Sequence, residues 1–144
     1  MILLEEKGER DSQLLVIRQT DHAFLAGFFA REWGNERFTK PQPNASFCLA
    51  VAEHDNGWSE WELQPQLDPK THLPYSFMSV PTAVHIALYQ RGIERLVRVD
   101  HYAALLGSLH ASGLYDRARA TMPGFSAKYV KTEENQLVSE FIQQ

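Results

Sequence analysis

The chain lacks most of the features that reveal a function at first sight. Its single cysteine, Cys48, excludes a disulfide within the chain and any cysteine-based zinc knuckle. It has no glycine-rich phosphate loop. A net charge of −4 without a basic stripe argues against a nucleic-acid polymer as partner. No apolar stretch reaches membrane-spanning length, and the acidic N-terminal residues do not resemble a signal peptide. We therefore expect a cytoplasmic protein with no membrane partner.

What is present predicts one mainly α-helical domain over residues 1–144. Hydrophobic residues make up 44% of the chain, and its length is enough to close one core. Two β-patterned runs around a polar turn predict a β-hairpin over residues 1–18. Residues 56–80 lose the helical period and are rich in proline and aromatic side chains, which predicts an irregular segment. Helices of a bundle are expected to begin near Thr20 or Asp21, Ser46, Ser79 or Val80, Asp100 and Thr132.

The adjacent residues His54 and Asp55 are the strongest functional signal. They end a short apolar helix and precede the helix breaker Asn56-Gly57. Neighbours on a helix point about 100° apart, but at its last turn both side chains can reach one ion beyond the helix end. In helical bundles, metal sites are built from ligands that several helices supply.

Three more histidines each lie on the apolar side of another predicted helix. One histidine in such a position is usually a core residue bonded to a backbone carbonyl, but their repetition favours a shared centre. Imidazole with carboxylate suits a divalent transition metal such as Zn, Fe, Mn or Ni, and the pattern does not choose among them. The predicted metal ligands are His22, His54, Asp55, His110 and His85.

Two further groups have open interpretations. The aromatic residues Trp58, Trp61 and Tyr75 either wall a pocket that binds a flat substrate, or seal one end of the bundle. Arg91 and Arg95, one helical turn apart, either bind the phosphate of a substrate or form a solvated helix face. A small-molecule substrate is the partner that the binding interpretations imply.

The arrangement resembles the HD superfamily of metal-dependent phosphohydrolases, helical proteins named for an adjacent His-Asp pair. Matched position by position, His22 corresponds to the upstream histidine and His54-Asp55 to the pair. His85 and His110 correspond to the extra histidines of members with two metals. The resemblance implies an HD-like helical bundle in which His54 and Asp55 are catalytic. The ion would activate a water, oriented by Asp55, to hydrolyse a phosphorylated small molecule or nucleotide.

One element of the HD pattern has no clear counterpart. The superfamily closes its site with a later aspartate, and the nearest substitutes here are Asp116, Glu133 and Glu134. Two other hypotheses therefore stay open. One is a di-iron oxygenase of the HD type, and the other is a non-catalytic binding or structural domain.

A closer resemblance covers nearly the whole chain. The stretches Glu53-His54-Asp55-Asn56-Gly57-Trp58, Leu73-Pro74-Tyr75-Ser76-Phe77, Arg91-Gly92-Ile93 and residues 102–110 are similar to a bacterial family catalogued as domain of unknown function 3891. That family is HD-like in its pattern. It carries no settled activity that could be transferred, so the resemblance implies the fold and the ligand pattern only.

Overall fold

Helices make up most of the computed structural model, which describes residues 1–7, 12–121 and 132–143. An antiparallel hairpin of β1 (Ile2–Lys7) and β2 (Ser12–Ile17) comes first, with Ile2 paired to Ile17. The helices that follow are α1 (Gln19–Glu32), α2 (Asn44–Glu53), α3 (Ser59–Leu63), α4 (Thr82–Val97), α5 (His101–Thr121) and α6 (Thr132–Gln143). The predicted mainly α fold with an N-terminal hairpin is confirmed.

The start of α1 differs from the prediction. The helix begins at Gln19, and neither Thr20 nor Asp21 caps it with its side chain. The carboxylate of Glu62, from α3, accepts hydrogen bonds from the backbone N–H groups of Gln19 and Thr20 and from the Thr20 hydroxyl. A carboxylate is favoured there because the first N–H groups of a helix lack partners and carry its positive dipole end. A cap from a distant segment leaves no local signal.

Asp100 joins two helices that carry candidate ligands. As predicted, it caps α5, since the Ala103 N–H donates to its Oδ1 at 2.9 Å. Ser46 does not begin α2, which starts at Asn44. Instead the Ser46 hydroxyl donates to Asp100 Oδ2 at 2.6 Å. One carboxylate thus caps α5 and holds it against α2.

The segment predicted to be irregular is helical at its start. A 3₁₀ turn at Asn56–Trp58 continues directly into α3. Within the predicted segment, residues 64–80 lack a helix. These pieces are too short to show a helical period in the sequence, so periodicity alone missed them. The rest of the segment contains one isolated bridge, between Leu67 and Pro74.

Glycines let the elements around the 3₁₀ turn approach closely. A Cβ added to Gly57 would lie 1.9 Å from the backbone oxygen of Leu88, so this position of the turn rests on the backbone of α4. A Cβ added to Gly27 would lie 2.5 Å from the Ala52 Cβ, where α1 crosses α2. These contacts set the position of the residues between α2 and α3.

The helices described here are each too short or too polar to cross a bilayer.

Candidate metal centre

His22, His54 and Asp55 come together at one point. Each offers a ligand atom, and these atoms all lie within 4.8 Å of one another. His22 lies in the first turn of α1, while His54 and Asp55 directly follow α2. His54 keeps helical backbone angles (φ −60°, ψ −26°), but Asp55 leaves them (φ −111°, ψ 17°). That change turns two sequence neighbours toward the same place.

The ring of His54 is oriented by the backbone of its own helix. Its Nδ1 lies 2.7 Å from the Val51 carbonyl oxygen. A carbonyl can only accept, so Nδ1 donates, and the neutral ring keeps its lone pair on Nε2. Nε2 stands 3.3 Å from Asp55 Oδ2. This is the arrangement in which metal-binding histidines are usually held.

The electrostatics of His54 favour a cation between the two residues. Burial by itself would lower the pKa of His54, but the Asp55 carboxylate and the Val51 carbonyl outweigh burial, and the pKa is raised. A lone pair facing a carboxylate is favourable only if a proton or another cation lies between them. A bound metal ion would take the place of that proton.

Asp55 has a buried carboxylate in which only one of the two oxygens accepts a hydrogen bond from a described residue. Its side chain is almost completely buried, and its Oδ2 accepts a hydrogen bond of 3.0 Å from Gln19 Nε2. Its Oδ1 is buried and accepts no hydrogen bond within the described part of the chain. Buried carboxylates are normally paired or bound to metals, because the desolvated charge is costly. Oδ1 is therefore available to an ion.

His110, from α5, adjoins this group but is not one of the residues whose ligand atoms converge within 4.8 Å. Its ring centroid lies 4.6 Å from that of His54. On the α1 side, the ring centroid of His22 lies 5.4 Å from that of His54. Burial, and then the neighbouring charge of His54, lower the pKa of His110. A lowered pKa keeps the ring neutral near pH 7, the form that binds metals. Solvent reaches His22 and His110, so the cluster is closed at Asp55 and open at these two rings.

His85 lies outside the group of three. It is buried, and its Nδ1 shares a hydrogen bond of 2.8 Å with the Tyr115 hydroxyl. Its ring packs against Trp58 and Tyr89, with centroids 5.4 and 4.8 Å away. His85 is thus buried in the core, apart from the group that His22, His54 and Asp55 form.

Two polar residues near Asp55 had not been predicted. Gln19 binds the carboxylate directly, and Tyr89 lies close enough that Asp55 helps burial to raise its phenol pKa. Gln19 comes three residues before His22, so it shares a face of α1 with a predicted ligand. That spacing was the available signal. Tyr89 comes four residues after the predicted ligand His85, so the same kind of spacing was present there.

The aromatic residues after the pair form a core cluster. Trp58 has no exposed surface and packs with Val80 and Leu88. Trp61 and Tyr75 are partly buried against the same cluster. All three side chains therefore contribute to packing in this structure.

Arg91 and Arg95 contact residues of the segment 56–60. Arg95 donates to the Asn56 carbonyl oxygen at 3.0 Å and to the Ser59 hydroxyl at 2.9 Å, and it pairs with Glu60. Arg91 also contacts Glu60, at 3.6 Å. These contacts fix α4 to the segment that follows His54 and Asp55. Neither guanidinium lines the cavity that His22, His54 and His110 border.

That cavity has a volume of about 540 Å³ and opens directly beside three of the predicted ligands, His22, His54 and His110. The other residues around it are Phe47, Ala50, Val51, Leu106, Gly107 and Leu109. The side chains of Asp116, Glu133 and Glu134, considered above as closing ligands, lie outside the described residues.

A family model covers the whole chain. The family, described as "Protein of unknown function (DUF3891)", matches residues 1–144. The chain belongs to this family. No curated protein and no solved structure matches it. The predicted likeness to DUF3891 is thereby confirmed. The description of DUF3891 names no activity, so its function has to be argued from the site.

Proposed function

We propose that this DUF3891 domain is a metal-dependent hydrolase of a phosphorylated small molecule. The observation that carries the proposal is the convergence of His22, His54 and Asp55, whose ligand atoms lie within 4.8 Å of one another. His110 adjoins them and would complete the set of ligands. The resemblance to HD phosphohydrolases, whose ligand positions these residues match, supports hydrolysis as the reaction.

The residues fit a divalent transition metal. Two ligands about 2.0–2.1 Å from a tetrahedral ion stand about 3.3 Å apart, and His54 Nε2 lies 3.3 Å from Asp55 Oδ2. The buried Oδ1 of Asp55 offers a further oxygen. Imidazole and carboxylate together suit zinc, iron, manganese or nickel.

A bound ion would supply a Lewis acid for the phosphoryl oxygen and lower the pKa of a bound water to about 7. The protein's own part is to hold the groups in place. The Val51 carbonyl orients the ring of His54, and Gln19 orients the carboxylate of Asp55. His54 and Asp55 are the residues to which we assign catalysis.

The openness of the site favours an enzyme over a structural clamp. A structural ion is enclosed by protein ligands, whereas a catalytic one keeps a position open to substrate. Here His22 and His110 are reached by solvent and border the cavity. A di-iron oxygenase would need a second ion near His85, but among the described residues the ligand atoms that converge belong to His22, His54 and Asp55 and not to His85. The geometry therefore favours one ion and hydrolysis.

Metal binding is the first test of this proposal. Purified protein is loaded with zinc, iron, manganese or nickel, and the bound metal and its Kd are measured for wild type and for Asp55→Asn. A matched control is His101→Ala, since His101 is an exposed histidine at the start of α5. We expect Asp55→Asn to lose metal and the control to keep it. Equal metal content in all three proteins would refute the site.

Activity is the second test. The loaded protein is incubated with phosphomonoesters and nucleotides, and the release of inorganic phosphate is followed. We expect phosphate release by wild type and by His101→Ala, and none by Asp55→Asn. Oxygen uptake with iron, without phosphate release with any metal, would favour the oxygenase instead.

A further inference from the structure

The cavity beside the histidines is built mainly from apolar side chains. α2 forms its floor with Phe47, Ala50 and Val51, and α5 supplies Leu106 and Leu109. Ala50 is 4% exposed, so the floor is closed, whereas Leu109 is 58% exposed and stands at the rim. A volume of about 540 Å³ is within the range of pockets that bind small molecules, about 300–1,000 Å³.

Charge is confined to the histidine end of this cavity. Within the described part of the chain, no lysine, arginine, aspartate or glutamate lines it. Arg95 and Arg91 line other cavities, on the α4 side, and both contact Glu60. A ribose or a second phosphate placed along these walls would lose its hydration and gain no polar partner.

The residues that could recognise a nucleobase are also elsewhere. Trp58 is fully buried, and Trp61 and Tyr75 pack against it and its neighbours rather than along the cavity. Phe47 is the one aromatic side chain, other than the histidine rings, among the described residues that line the cavity. Its walls are suited to aliphatic or simple aryl groups.

We infer that the substrate is an amphiphilic phosphomonoester, whose phosphoryl head lies at the histidines and whose uncharged alkyl or aryl body lies along α2 and α5. This inference rests on the proposed function and narrows it, because it disfavours nucleotides. In the reaction, water adds its oxygen to phosphorus and the phosphorus–oxygen ester bond breaks. A proton from that water passes to the leaving oxygen, so the products are inorganic phosphate and an apolar alcohol.

A series of alkylphosphonates tests the inference, since they keep the head and cannot be hydrolysed. Titrations of zinc- or manganese-loaded protein are made with methyl- to octylphosphonate and with adenosine monophosphate. We expect the Kd to fall about three- to fourfold for each added methylene until the cavity is filled. Adenosine monophosphate should bind no more tightly than methylphosphonate.

Two leucines on one helix provide matched variants. Leu109 lines the cavity, whereas Leu105, one turn earlier on α5 and similarly exposed (52% against 58%), does not. Leu109→Asn should weaken the dependence of Kd on chain length, and Leu105→Asn should leave it unchanged. Both variants should keep the metal and bind methylphosphonate as wild type does, because neither residue belongs to the ligand group.

The possible failures are distinguishable. If metal and methylphosphonate bind but the Kd does not change with chain length, the apolar substrate is refuted and the hydrolase proposal stands. Tighter binding of adenosine monophosphate than of octylphosphonate would refute it in the same way. A wild-type protein that binds no metal would overturn the proposed function, and the inference with it.

Discussion

Replacing Gly57 by alanine should strongly destabilise the protein and damage the candidate metal centre. The added Cβ would lie 1.9 Å from the Leu88 carbonyl oxygen and 2.8 Å from its carbonyl carbon. These are backbone atoms in the middle of α4, so no side-chain rotation can make room. The 3₁₀ turn would have to move away from α4 by about 1 Å or more, and Asp55 lies at the start of that turn.

The expected size follows from overpacking. Inserting a methyl group into a well-packed region commonly costs about 1–3 kcal/mol. We expect a loss of about 3 kcal/mol here, because backbone is in the way. With an m-value of about 1–3 kcal/mol per molar urea, the midpoint of urea unfolding should fall by about 1–3 M. The Kd for metal should rise as well, because Asp55 moves with the turn.

Gly113→Ala is the matched control. Gly113 is an exposed residue of α5, and a Cβ added there meets nothing within 4 Å. Alanine is favoured over glycine inside a helix by about 0.8–1.0 kcal/mol. This variant should therefore be more stable than wild type and should keep its metal affinity. If Gly57→Ala and Gly113→Ala unfolded at the same urea concentration, the close approach of the turn to α4 would be disproved.

Three further predictions concern the metal and the contacts that join the helices. Zinc at about one hundred times its Kd should stabilise the fold by about 2.7 kcal/mol, which is measured as a rise in Tm. No rise in wild type, or an equal rise in Asp55→Asn, would contradict the metal site. Glu62→Ala should lower the free energy of unfolding by about 2 kcal/mol, because the N–H groups at the buried start of α1 lose their charged acceptor. An unchanged midpoint of urea unfolding would contradict the role of Glu62 as a cap. The Ser46 hydroxyl and the Ala103 N–H hold the pKa of Asp100 below its usual value. The stabilisation this gives is fully present above the unfolded-state pKa near 3.9 and disappears as pH falls through the lower folded-state pKa. Asp100→Asn should therefore destabilise the protein at pH 7, and that deficit should shrink as the pH falls below the unfolded-state pKa near 3.9. A deficit independent of pH would refute the reasoning.

Local patterns predicted most of the fold. The hairpin follows from two β-patterned runs around a polar turn, and the Asp100 cap of α5 follows from a side chain that acts three residues away. Two of the misses share one cause. Glu62 caps α1 from another helix, and Ser46 binds a residue of a later helix instead of opening its own. Contacts between residues distant in sequence leave no periodic trace.

The same limit applies to the candidate site. The pair His54-Asp55 was identifiable because a helix end lets two neighbours face one point, and the backbone angles of Asp55 show that turn. The sequence could not separate His22, which joins the group, from His85, which does not. Both were predicted on apolar helix faces, but the structure buries Gln19, Ala23, Gly27 and Ala30 of α1 and leaves His22 exposed. Only packing decides which face of a helix is buried.

The site is therefore a product of contacts between elements more than of any one motif. Gly57 seats the turn that carries Asp55 on α4, and Glu62 holds the start of α1, three residues before His22. Asp100 joins α2, which ends at His54, to α5, which carries His110. Each candidate ligand is thus positioned by a residue that does not itself belong to the ligand group. A metal ion would be bound by the folded arrangement and not by the unfolded chain, so its affinity should fall whenever one of these three contacts is removed.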